Sequence, residues 1–76
     1  MPNLFFKQKI PAHYFDFKLQ KDRIAVVYDS YVYIYETLTK SLVGAKAEVL
    51  NLFLADHKGD GLTMTGKKGI YYIKSI

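Results

Sequence analysis

Four tyrosines, Tyr28, Tyr31, Tyr33 and Tyr35, crowd into the stretch 28–35, and their side chains have the clearest chemical use in the chain. A tyrosine ring can stack on a nucleobase, at about 1–3 kcal/mol per base. It also suits protein interfaces, where tyrosine is enriched among the residues that dominate binding. The segment Ile24-Ala25-Val26-Val27-Tyr28-Asp29-Ser30-Tyr31-Val32-Tyr33-Ile34-Tyr35 reads as a hairpin turning at Asp29-Ser30. That register pairs Tyr28 with Tyr31, Val27 with Val32, Val26 with Tyr33 and Ile24 with Tyr35. Side chains alternate along a strand, so one face collects Ala25, Val27, Val32 and Ile34. The other collects Ile24, Val26 and all four tyrosines. Both faces are apolar, whereas the chain predicts only one main helix. Something else must meet the second face, or it stands exposed as an aromatic patch.

Other spacings suggest chemistry and do not sustain it. Gly61-Leu62-Thr63-Met64-Thr65-Gly66-Lys67-Lys68 matches the first part of a phosphate-binding loop. That loop needs a strand before it, a helix after it, and a Ser or Thr beside the lysine to meet magnesium. Here Lys68 fills the last place and a strand follows, so the segment reads as a lysine-tipped turn. Asp56-His57-Lys58-Gly59-Asp60-Gly61 resembles the opening of a calcium loop, but Lys58 and Lys67 stand where oxygen ligands belong. It reads instead as a helix C-terminus, whose negative partial charge suits His57 and Lys58. His13 and His57 are the only histidines and share no metal-ligand spacing. Ser30, Ser41 and Ser75 form no triad or dyad with the scattered carboxylates. The sequence therefore predicts no catalytic residue, no metal site, no cofactor and no small-molecule substrate, hence a protein that is not an enzyme.

Charge is more informative. The net charge is +4. Residues 1–23 set Lys7, Lys9, Lys18, Lys21 and Arg23 against Asp16 and Asp22. Residues 24–57 set Lys40 and Lys46 against Asp29, Glu36, Glu48 and Asp56. Residues 58–76 set Lys58, Lys67, Lys68 and Lys74 against Asp60. Two basic ends flank a faintly acidic middle, and they would merge into one positive surface if their strands were neighbours. Such a surface attracts phosphate or an acidic partner, and the same lysines also serve solubility.

The elements that must position these groups follow from alternation and punctuation. Residues 4–10 alternate as a strand that Pro11 ends or bends, and His13 to Leu19 alternate as a second. With the tyrosine hairpin they make an antiparallel meander. Thr37, Thr39 or Ser41 could cap a helix that is secure over Ala45–His57 and stops at Gly59. Its apolar residues spread more widely than one sheet face requires. Leu62 to Ile76 reads as a hairpin around Gly66-Lys67-Lys68-Gly69, pairing Met64 with Tyr71.

The chain is thus read as one domain, residues 1–76, of the α+β class. It would hold an antiparallel sheet of about five strands, one main helix packed on one face and a C-terminal hairpin, in the order β-β-β-β-α-β-β. With 76 residues and no cysteine, its small core has no disulfide to reinforce it. Lys7 and Lys9 interrupt Leu4-Phe5-Phe6, no signal peptide is visible, and no apolar run could span a bilayer. The expectation is a soluble, cytoplasmic protein with no membrane partner. Its function reads as a small, non-catalytic regulatory binding protein, contacting nucleic acid or a nucleic-acid-handling protein. The contact residues would be Tyr28, Tyr31, Tyr33, Tyr35 and Tyr72 with Lys7, Lys9, Lys18, Lys67, Lys68 and Lys74. The alternative is a protein–protein interaction module or inhibitor whose apolar sheet face forms a homodimer or binds a protein target.

Overall fold

The structure, a computed structural model, describes residues 3–10, 22–39, 41–59 and 61–75. Its elements are β1 (Asn3–Lys9), β2 (Arg23–Tyr28), β3 (Tyr31–Glu36), α1 (Leu42–His57), β4 (Leu62–Lys67) and β5 (Ile70–Ser75). The strand expected over His13–Leu19 lies outside the described residues.

The β-branched run of β2 favours a pleated, buried strand. Asp29 and Ser30 both take positive φ, 49° and 66°, the two-residue geometry whose twist matches the flanking strands. The β2–β3 register follows as read from the sequence, from Ile24 opposite Tyr35 to Tyr28 opposite Tyr31, and continues to Arg23 opposite Glu36. β1 adds antiparallel to the far side of β3, with Lys7 opposite Tyr33, Lys9 opposite Tyr31, and a bulge between Leu4 and Phe6.

β4 and β5 pair antiparallel, and β5 runs parallel to β2, with Val26 opposite Tyr71. The strand order is β1-β3-β2-β5-β4. Among the described residues one helix and five strands make the class α+β, but the sheet is mixed, which corrects the expectation of a purely antiparallel one. The reason is directional: β3 and β4 run the same way, and like-directed strands need a crossover, here α1. The β4–β5 turn is docked onto β2, with the Ala25 N–H donating to the Gly69 carbonyl at 2.6 Å.

The second hairpin also differs in register. It turns at Lys68 and Gly69, φ 58° and 80°, so Met64 faces Ile73 and Gly66 faces Tyr71. The pairing is displaced by two residues from the expected one. A displacement of two preserves the faces, because side chains alternate with period two. Gly66 has φ 143°, and a Cβ there would collide with the Ile70 carbonyl oxygen and lie 2.8 Å from Tyr71 Cα.

Ser41 caps α1, its hydroxyl accepting from the Gly44 N–H at 3.5 Å. At the other end Lys58 adopts the left-handed conformation and the Gly59 N–H donates to the Leu54 carbonyl at 3.3 Å, satisfying a carbonyl that would otherwise be orphaned. Ala45, Val49 and Phe53 of α1 share one core cluster with Ile24, Val26, Tyr33, Tyr35, Met64 and Tyr71 of the sheet. Across the sheet, buried Ala25, Val32 and Ile34 form a second cluster, joined by half-buried Phe6, Val27 and Ile70.

Candidate functional site

The four tyrosines do share one sheet face, and α1 packs on that face. Tyr33 and Tyr35 are 7% and 3% exposed, so their ring faces serve the core. Phe53 meets Tyr28 and Tyr33 edge-on, at centroid distances of 5.1 and 5.2 Å. His57 stacks on Phe53 at 4.0 Å and 13° and lies nearly perpendicular to the rings of Tyr28 and Tyr33. Its Nδ1 lies 3.0 Å from the Phe53 carbonyl oxygen. A carbonyl can only accept, so Nδ1 carries the proton. Edge-to-face and offset-stacked rings of this kind add about 0.5–1.5 kcal/mol per pair beyond the area they bury.

Burial raises the Tyr33 phenol above its ordinary value, and the Asp29 carboxylate and the phenols of Tyr31 and Tyr28 add to the shift. Tyr35 is pushed up to about 12, first by burial, then by the Asp56 carboxylate and Tyr33. Burial thus holds both phenols in the neutral form to higher pH than an ordinary tyrosine. Tyr28 and Tyr31 are half-buried at the hairpin end.

The lysines separate into two groups. Lys7 and Lys9 occupy one edge strand, on the same face as the tyrosines, and the Lys7 ammonium lies 5.6 Å from the Tyr31 centroid and 5.9 Å from that of Tyr33. Lys67, Lys68, Tyr72 and Lys74 belong to the β4–β5 hairpin at the opposite edge. Tyr72 pairs with Thr65, Lys74 with Thr63 and Lys67 with Ile70, which places Lys67, Tyr72 and Lys74 together on the face away from α1. Tyr72 is 42% exposed and all three lysines are exposed. Among the described residues the two lysine groups do not merge, since β1 and β4 stand four strand spacings apart, about 19 Å. Lys18 lies outside the described residues.

Three arrangements were missed. Arg23 donates to the Glu36 carboxylate at 2.9 Å and lies 4.3 Å from the Phe5 centroid. The hairpin register, which sets Arg23 opposite Glu36, already contained that pairing. Lys46 reaches over Tyr71 at 5.2 Å, a contact that depends on how α1 crosses the sheet. The stacking of His57 on Phe53 could have been found in their four-residue spacing, which puts both on one helix face.

Among the described residues no group of His, Asp or Glu side chains could hold a metal ion, and no helix is long and apolar enough to cross a membrane. Residues 62–75 contain three lysines and no carboxylate side chain. The hairpin can therefore offer phosphate-binding ammonium groups beside an accessible aromatic ring. No protein family, curated protein or solved structure matches the chain.

Proposed function

We propose that this protein is a small, non-catalytic regulatory binding protein that contacts nucleic acid through the β4–β5 hairpin. One observation carries the reading: an acid-free hairpin sets exposed Tyr72 between Lys67 and Lys74, with Lys68 in the turn. Ammonium groups pair with phosphates and release counterions, while a tyrosine ring stacks on any base. Lysine presents a point charge rather than the planar fork of arginine, so the contact reads backbone more than sequence. Three phosphate contacts give a salt slope of about −2 on single strands. Fluorescence anisotropy with short oligonucleotides at several salt concentrations tests this. Binding that falls with that slope, and weakens in Tyr72→Ala without loss of thermal stability, is the expected result. No binding at low salt sinks the reading.

A second reading, a protein interaction module or homodimer, draws on a different surface. Leu38 and Val43 are 86% and 82% exposed, and Leu4 and Phe5 are exposed as well. Asn3 pairs with Glu36, so Leu4 and Leu38 lie at the same end of the sheet. Apolar residues gathered this way favour a protein partner or a second copy. Light scattering at twice the chain mass, reverting to monomer in Leu38→Asp, supports the homodimer; a monomer at every concentration removes it.

A further inference from the structure

Resting on the nucleic-acid reading above, we propose that the protein is bivalent and bridges two nucleic-acid segments, with Lys7 and Lys9 of β1 as the second contact. Among the described residues β1 and β4 are opposite edges of the sheet. The Lys7 and Lys9 side chains lie on the face that carries α1, since they pair with Tyr33 and Tyr31. Lys67 and Lys74 lie on the other face. The two groups therefore look outward in opposed directions, separated by about 19 Å across the sheet.

The region between them discourages one strand from touching both. On α1 and the Asp29 turn the described carboxylates outnumber the ammonium groups: Asp29, Glu48 and Asp56 are exposed, against exposed Lys58 and half-buried Lys46, which lies over Tyr71. A phosphate backbone passing from one edge to the other over α1 meets carboxylates, which repel it. Two separate segments avoid that path. The sites are also unequal in chemistry. Tyr31 and Tyr33 hold the Lys7 ammonium by cation–π attraction, which orders a phosphate contact. At the hairpin, Tyr72 adds an exposed ring. Each site alone is weak, and a protein engaging two segments gains from the high effective concentration of the second contact.

The test mixes donor- and acceptor-labelled oligothymidylates, which cannot pair with each other, and adds the full chain at low salt. Energy transfer should rise to a maximum near about one protein per two oligonucleotides and fall again in excess protein, where each strand has its own protein. In Lys7→Glu/Lys9→Glu, transfer should drop about tenfold or more while anisotropy shows affinity for one oligonucleotide changed less than about threefold. If that variant melts early, Lys9→Glu alone repeats the test with the same expected direction. Anisotropy binding without transfer at any ratio overturns bivalence and leaves the hairpin reading standing. Transfer unchanged in Lys7→Glu/Lys9→Glu also overturns it, because a dimer carrying two hairpin sites would then be the bridge. Absence of binding altogether overturns both readings.

Discussion

The β2–β3 and β4–β5 hairpins turn alike, each through two residues at positive φ, Asp29-Ser30 and Lys68-Gly69. Both carry tyrosines, yet the rings meet different fates. In β3, Tyr33 and Tyr35 lie beneath Val49 and Phe53 of α1. In β5, Tyr71 turns inward to the same cluster, whereas its neighbour Tyr72 faces solvent. Residue type alone thus does not decide whether a tyrosine is core or contact. The decision rests on strand parity and on which face the crossover helix covers. The first hairpin is a foundation and the second a surface, and substitutions should separate them.

The largest effect is expected at the foundation. Phe53→Ala removes a fully buried ring with its contacts to Tyr28, Tyr33 and His57. It should cost about 3–5 kcal/mol in chemical denaturation. Tyr72→Ala should cost less than about 1 kcal/mol, as for an exposed strand position. Equal losses at the two sites would break the distinction. Gly66→Ala comes next, at about 2 kcal/mol or more by the same measurement. Its added methyl meets the Ile70 carbonyl oxygen at a φ that side chains rarely adopt. Unchanged stability would contradict the close approach of the two strands.

Alkaline titration sharpens the comparison further. Tyr35 stays protonated in the folded state up to about 12, whereas an unfolded tyrosine ionises near pH 10. The unfolded chain therefore loses its proton first. The stability that Tyr35 contributes is complete below about pH 10 and declines from there to about pH 12, at up to about 1.4 kcal/mol per pH unit. Ultraviolet absorbance should show Tyr35 ionising only toward about pH 12; completion of every tyrosine transition near pH 10 would deny the buried class. The smallest effect is a gain. Gly44 lies within α1, where an added Cβ meets only Thr39 Cγ2 at 3.9 Å. Gly44→Ala should raise stability by about 0.5–1 kcal/mol while leaving oligonucleotide affinity unchanged.

Local patterns were the legible part of this chain. The Asp29-Ser30 turn and its register could be read because alternation on both sides admits one good pairing, and Ala45–His57 could be read from helix formers and a glycine stop. The Ser41 cap extends that helix to Leu42, a choice that three candidate caps had left open. Gly66-Lys67-Lys68-Gly69 accommodates either a four-residue or a two-residue turn, so the register of the second hairpin was displaced while its faces were not. The pairing of β2 with β5 joins residues far apart in sequence, and no local periodicity encodes it. Nor could alternation choose which apolar face of the β2–β3 hairpin receives α1. That choice removed Tyr33 and Tyr35 from the expected contact surface, and strand order put the two lysine groups on opposite edges.

Those lysines also stand where the sheet ends. Lys7 and Lys9 on β1 and Lys67 on β4 occupy the two strands that, among the described residues, have a neighbour on only one side. Charge on an edge strand keeps the sheet of another molecule from continuing the ladder. If those lysines bind a polyanion as proposed, its phosphates would weaken that guard, and occupancy would then be coupled to edge-to-edge self-assembly.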